Sequence, residues 1–153
     1  MTTIAYRDGI IAADSRETWE CEIAGIAVFN RCTKLTRYDD IGAIIGTQGE
    51  SFPGLVAEDW YVDNERSTNG VEKPDFSGEE DFTLLILSRD GLTIMDCWLR
   101  PCKVNEKYFA VGSGSKVALG AMYMGATAEE AVKAASKIDP FTGGKVHVMS
   151  LED

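Results

Sequence analysis

Apolar residues fall in short runs along the whole chain, and the residues between those runs predict the elements. Residues 2–7 (TTIAYR) and 10–15 (IIAADS) are strand-like and meet at Asp8-Gly9. An Asp-Gly pair between apolar runs signals a hairpin, because both turn residues must take positive φ. β-Branched and aromatic positions continue through 23–38, as IAGIAVF and then TKLTRY; Asp39-Asp40 makes a turn, and IGAIIG follows as a buried strand. The glycine turn Gly46-Thr47-Gln48-Gly49 leads to a helix predicted from Phe52 to about Glu65. Ser51 is placed to cap that helix, and Pro53 sits in its first turn, where a missing N–H costs little.

Residues 67–81 turn to Ser, Asn, Gly, Pro and acids, the composition of a surface loop. FTLLILS and LTIMDCWL flank Arg89-Asp90-Gly91 as a second hairpin. KYFAVGSGS is a strand ending in small residues that runs into a helix from about Ser115 to Met124, with Gly125 suited to its C-terminal cap. Thr127 and Glu130 have capping-box spacing and open a helix to about Ile138, which Pro140 stops. KVHVMSL closes the chain as an alternating strand. Strands grouped in hairpins with segregated helices predict an α+β fold, antiparallel sheets covered by helices. No internal repeat or low-complexity segment is visible.

Length and composition add limits. The 153 residues, 44% apolar and 26% charged, suit one globular domain spanning 1–153, able to bury a core without a metal or disulfide. No apolar run approaches the roughly 18 residues of a membrane helix, and no basic-then-apolar signal opens the chain, so a cytoplasmic protein is expected. Fifteen bases against 25 acids give a net charge of -10, which repels phosphate backbones and disfavours a nucleic-acid partner. Nine acids and two bases lie between Glu58 and Asp81, read as a solvated helix end and loop. Cys21, Cys32, Cys97 and Cys102 form no CxxC pair and are read as reduced packing cysteines.

Candidate chemistry starts at Thr2. A Met1-Thr2 start is a good substrate for methionine removal, which leaves Thr2 with an α-amine. A threonine hydroxyl needs a base close by, and an α-amine titrating near ~8 is such a base. Asp14 ends an apolar strand, where a carboxylate is costly to bury unless paired, and Lys34 interrupts a strand-like stretch in the same way. An Asp–Lys pair beside the amine disfavours its protonation and stabilises charge developing on oxygen. The Gly46-to-Gly49 turn can offer backbone N–H groups to an oxyanion. GSGSK at 112–116 lacks the GxxxxGK[ST] spacing of a phosphate loop, so nucleotide binding is rejected. His147 reads as a strand residue, and one histidine supplies no metal cluster. No metal and no cofactor are expected.

The order of these signals closely resembles proteasome β-subunit-type N-terminal nucleophile hydrolases and the bacterial ring protease of the heat-shock-locus-V type. Thr2-Thr3-Ile4 resembles the mature N-terminus with its nucleophilic threonine. GIIAADSRET resembles the strand ending in Asp-Ser-Arg-x-Thr, which places Asp14, Arg16 and Thr18. TKLTRYDDIGAIIGTQG resembles the strand pair with the active-site lysine at Lys34 and the oxyanion glycine at Gly46. AVGSGSKVALG resembles the segment with the active-site serine at Ser113. Asp139-Pro-Phe-Thr142-Gly-Gly resembles the Asp-x-x-Ser-Gly-Gly motif that supports that serine and the N-terminal amine, with Thr142 in place of Ser. The match runs from residue 2 to about 150. The first hairpin is several residues shorter than usual, the Asp14-to-Lys34 interval is a few longer, and the lack of a propeptide suits the heat-shock type.

The resemblance implies a four-layer αββα sandwich, with helices 115–124 and 128–138 on one outer face. It implies a threonine-type peptide hydrolase: Thr2 as nucleophile, Lys34 held by Asp14, Gly46 for the oxyanion, and Ser113, Asp139 and Thr142 orienting the amine. Thr18, Cys32, Ile45 and Gln48 are the expected pocket residues, and they leave a peptide and a smaller amide both open as substrates. A polypeptide substrate, a homo-oligomeric ring and an ATP-dependent unfoldase partner are implied, with no membrane or nucleic acid. An inactive, ring-forming subunit of the same fold is the alternative, favoured if Met1 is retained.

Overall fold

In the computed structural model, residues 1–21 and 25–152 are described. Their strands are β1 (Thr3–Arg7), β2 (Ile10–Ala13), β3 (Glu17–Cys21), β4 (Gly25–Phe29), β5 (Leu35–Tyr38) and β6 (Ala43–Gly49). After helix α1 (Ser51–Arg66) come β7 (Phe82–Ser88), β8 (Gly91–Met95), β9 (Cys102–Lys103) and β10 (Tyr108–Gly112). Helices α2 (Ser115–Tyr123) and α3 (Ala128–Ile138) precede the final strand β11 (His147–Ser150).

Two antiparallel sheets carry the fold, one ordered β10-β1-β2-β11 and the other β5-β6-β7-β8-β9. β3 and β4 pair as a separate two-stranded ribbon. Because strand side chains alternate, each central strand serves two cores. Ile4, Ile11, Ile44, Leu85 and Leu87 meet between the sheets. Their neighbours Ile45, Leu84 and Ile86 turn outward to Ala57 and Val62 of α1. On the other sheet, Ala5, Ala12 and Ala110 turn outward to Ala118 and Met122 of α2 and Ala131 and Val132 of α3. The layers are therefore α1, sheet, sheet and α2–α3, an α+β sandwich with α2 and α3 on one outer face as expected. The small alanines facing α2 and α3 let those helices lie close to the sheet.

Local signals read from the chain are realised in detail. Asp8 and Gly9 take φ of 50° and 81° and close the first hairpin. Thr127 and Glu130 form the reciprocal capping box, and Gly125 takes φ 104° after α2. The α1 cap differs from the expectation: Glu50 occupies the N-cap position without a side-chain bond, and the Ser51 hydroxyl donates instead to Glu17 Oε1 at 3.1 Å. The strand material read over 23–38 forms β4 and β5, with β4 paired to β3; residues 22–24 lie outside the described residues. Among the described residues, no helix is long and apolar enough to cross a membrane.

Candidate active site

β1 starts at Thr3 and pairs with β2 on one side and β10 on the other, so the residues before it lie over the ends of both neighbours. β2 delivers Asp14 directly beneath. This carboxylate is fully buried, and such burial demands partners. It has four: Oδ1 accepts from Thr3 N–H at 2.9 Å and Lys34 Nζ at 2.8 Å, and Oδ2 accepts from Arg16 N–H at 3.1 Å and Gly143 N–H at 2.9 Å. Three ammonium protons of Lys34 have three acceptors, namely Asp14, the Arg16 carbonyl and the Met1 carbonyl at 3.1 Å. Burial lowers the Lys34 pKa from the ordinary lysine value, and Asp14 opposes that shift without cancelling it.

β10 delivers the third component. Gly112, at φ 94°, turns the chain so tightly that a Cβ on it would lie 1.7 Å from the Thr2 carbonyl oxygen. This contact lets Ser113 N–H donate to Thr2 O at 3.0 Å. Gly114 also approaches closely: its N–H donates to Thr3 Oγ1 at 3.0 Å, and a Cβ there would lie 2.5 Å from that oxygen. Ser113 Oγ donates to Asp139 Oδ2 at 2.6 Å, and the Thr142 hydroxyl donates to the same oxygen. Burial would raise the Asp139 pKa, but those hydroxyls, the Phe141 N–H and the charged chain terminus more than offset it and hold it low. Arg16 braces the loop after Asp139 by donating to Pro140 O at 2.8 Å and to Asn30 Oδ1 at 2.9 Å.

Thr2, nearly buried at 7% exposure, lines a cavity of about 350 Å³ together with Lys34, Thr18, Cys32, Thr47, Gly49 and Glu58. Of the seven residues expected to carry chemistry, Thr2 and Lys34 line this cavity, and Asp14, Ser113, Asp139 and Thr142 gather beside it through hydrogen bonds around Thr2 and Thr3. Gly46 does not. A Cβ on it would meet Leu35 and Ile4 side chains at 2.9 and 3.0 Å, so it faces the core between the sheets. Three residues further on, Gly49 lines the cavity instead. Thr47 N–H donates to Lys34 O and Glu50 N–H donates to Asp81 O, so ladder alternation turns the Gly49 N–H to the Lys34 side.

The expected pocket residues divide as well. Thr18 and Cys32 line the cavity. Ile45 is fully buried against α1, and Gln48 alternates to the opposite strand face from Thr47, so neither contributes. A hydrogen bond to Glu17, followed by burial, raises the Cys32 pKa and keeps that thiol protonated. Glu58, read from the chain as the start of a solvated acidic stretch, is only 4% exposed. Its Oε1 accepts from Tyr38 at 2.9 Å and its Oε2 from Thr47 at 2.6 Å. Burial first, and then this carboxylate, push the Tyr38 hydroxyl up to about 12. The signal missed was an acid on the helix face that also carries Gly54, Ala57 and Val62.

Comparison with solved structures decides the fold. Eukaryotic HslV from Trypanosoma brucei superposes with a TM-score of 0.70 at 16% identity, over 97% of this chain and 98% of that one. The chain has the HslV-like fold. BPH of Thiobacillus denitrificans in complex with Epoxomicin gives a TM-score of 0.65 at 22% identity, over 98% of both chains. The same BPH in a second structure gives 0.63 at 23% identity, over 98% of this chain and 97% of that one. No protein-family model matches the chain, and no curated protein matches it significantly. At these identities the HslV-like fold is held by packing and backbone geometry, and the activity has to be argued from this chain's own side chains.

Proposed function

We propose that this chain is a threonine-type peptide hydrolase in which Thr2, exposed as the first residue when Met1 is removed, is the nucleophile. The observation that supports the reading is that Thr2 lines a cavity with Lys34, which pairs with buried Asp14, while Ser113, bonded to Asp139, donates its N–H to the Thr2 carbonyl. The Thr2 oxygen bonds to the scissile carbonyl carbon while its proton passes, through a water, to the Thr2 α-amine. Charge gathers on the carbonyl oxygen beside the Lys34 ammonium and the Gly49 N–H, which takes the role first expected of Gly46. The C–N bond then breaks and the leaving amine carries off the proton. Water attacks the resulting ester, the amine again takes a proton, and cleavage of the ester restores the hydroxyl. Asp14 holds Lys34 in place; Ser113, Asp139 and Thr142 orient the amine.

While Met1 remains, the Thr2 nitrogen is an amide and offers no base. That supports a second reading, an inactive subunit kept for assembly, because the Met1 carbonyl accepts a bond from Lys34. Intact mass separates the two. The active reading requires loss of the initiator mass, peptidase activity that Thr2→Ala removes, and one Epoxomicin adduct on wild type but none on Thr2→Ala. Equal activity in the two proteins would falsify the reading. The HslV-like fold supports extending it to a homo-oligomeric ring acting on polypeptides, in the cytoplasm and served by an ATP-dependent unfoldase. A monomeric mass by light scattering removes the ring.

A further inference from the structure

Among the described residues lining the cavity beside Thr2, three carboxylates, Glu17, Glu50 and Glu58, stand against one side-chain ammonium, Lys34, and the chain's terminal amine. That ammonium is already paired with Asp14. The walls between them are largely hydroxyl-bearing, with Thr18, Thr36 and Thr47 on the strands. A leucine or phenylalanine side chain entering this space would cover buried Glu58 without bringing it an opposite charge, which is costly. A cationic side chain supplies that charge.

Glu58 is the carboxylate with most leverage. Glu50 is exposed and Glu17 half-buried, whereas Glu58 is almost wholly withdrawn from solvent. Coulomb attraction strengthens as the local dielectric falls, so a pair formed at Glu58 outweighs one at the rim. Tyr38 and Thr47 fix both of its oxygens, yet each uses one acceptor site, and a carboxylate has about four. The group is therefore oriented and still able to accept from a guest. At about 350 Å³ the cavity lies near the lower end of ligand clefts, which start at roughly 300 Å³, a size for one side chain.

We propose that this cavity receives a lysine or arginine side chain on the acyl side of the scissile bond, with Glu58 as the specificity-determining residue. The inference rests on Thr2 being the nucleophile, and the experiment separates the two.

Matched fluorogenic peptides with arginine, lysine, leucine or glutamate at the acyl-side position are cleaved by protein confirmed by mass to start at Thr2. Wild type is expected to favour arginine and lysine over leucine by about tenfold or more in kcat/KM, the size of one well-placed charge pair. Glu58→Gln, whose amide can still meet Tyr38 and Thr47, is expected to lose that preference mainly through KM for the basic peptides. Thr2-dependent cleavage with leucine equal to or above arginine in wild type overturns this inference alone, whatever the variant does. Cleavage that Thr2→Ala does not abolish, or no cleavage of any peptide, overturns it together with the reading beneath it. A basic preference unchanged in a folded Glu58→Gln protein removes Glu58 from the assignment.

Discussion

Lys34 Nζ lies 2.8 Å from Asp14 Oδ1, and the two side chains are only 7% and 0% exposed. The pair joins the start of β5 to the end of β2, so it ties the two sheets together at the edge where Thr2 sits. Removing one partner of a buried pair leaves the other charge uncompensated, at a cost of about 3–5 kcal/mol. Lys34→Met, which keeps the length of the side chain, is expected to lose stability of that order in urea unfolding and to lose peptidase activity. The pH dependence has a definite sign. Burial sets the folded pKa of Lys34 below the 10.5 of an ordinary lysine. Between those two values the unfolded chain binds more protons, so wild type gains stability relative to Lys34→Met as pH rises toward 10.5. A difference that stays flat over that window contradicts the burial argument.

The two glycines in the last half of β6, where a glycine turn was expected, make opposite demands. At Gly46, an added Cβ meets the methyl ends of Leu35 and Ile4 at 2.9 and 3.0 Å, and flexible side chains can give way. At Gly49, with φ +98°, an added Cβ would lie 2.1 Å from the Asp81 carbonyl oxygen, against backbone. Gly46→Ala is expected to lower stability by about 1–3 kcal/mol through overpacking and to keep most of its kcat. Gly49→Ala is expected to cut kcat by about a hundredfold or more, as loss of an oxyanion donor does, along with a fall in Tm from backbone strain. Steady-state kinetics on both variants, with melting curves alongside, assigns the donor; a collapse in kcat for Gly46→Ala with Gly49→Ala unharmed would reverse it.

The difference between those glycines marks where reading the chain stops. The hairpins and the α3 cap were legible because their causes are local: Asp8-Gly9 needs only its own φ angles, and Thr127 needs only Glu130 three residues on. That Thr2, Asp14, Lys34, Ser113, Asp139 and Thr142 lie close together was legible through the order of motifs. Which glycine turns an N–H to the cleft depends on the pairing of β6 with β5 and β7, a long-range register that Gly46-Thr47-Gln48-Gly49 does not encode. Ile45 and Gln48 were misplaced for the same reason, since the strand face follows from register. Glu58 looked solvated because its partners, Tyr38 and Thr47, come from separate strands.

The hydroxyl protons around Asp139 all point one way, toward the carboxylate. Thr142 has one proton and gives it to Asp139, yet its oxygen lies 2.6 Å from Thr3 Oγ1, so Thr3 must donate in that contact. Thr3 in turn accepts from Gly114 N–H at 3.0 Å. A directed chain thus runs from Gly114 through Thr3 and Thr142 to the carboxylate, and fully buried Thr142 is its central link. Thr142→Ser keeps the hydroxyl and should retain activity with a small loss of stability. Thr142→Val has nearly the same shape but strands the Thr3 donor and strips Asp139 of one proton donor, at about 1–3 kcal/mol. Its activity should fall while the serine variant's does not. Acid titration checks the carboxylate end. Because these bonds hold the folded pKa of Asp139 below 3.8, they stabilise the protein above that value, and the benefit fades as pH falls through the lowered one. The stability gap between wild type and Thr142→Val should therefore narrow in acid below about pH 4. A gap that persists unchanged there would place the loss in packing, not in the bond to Asp139.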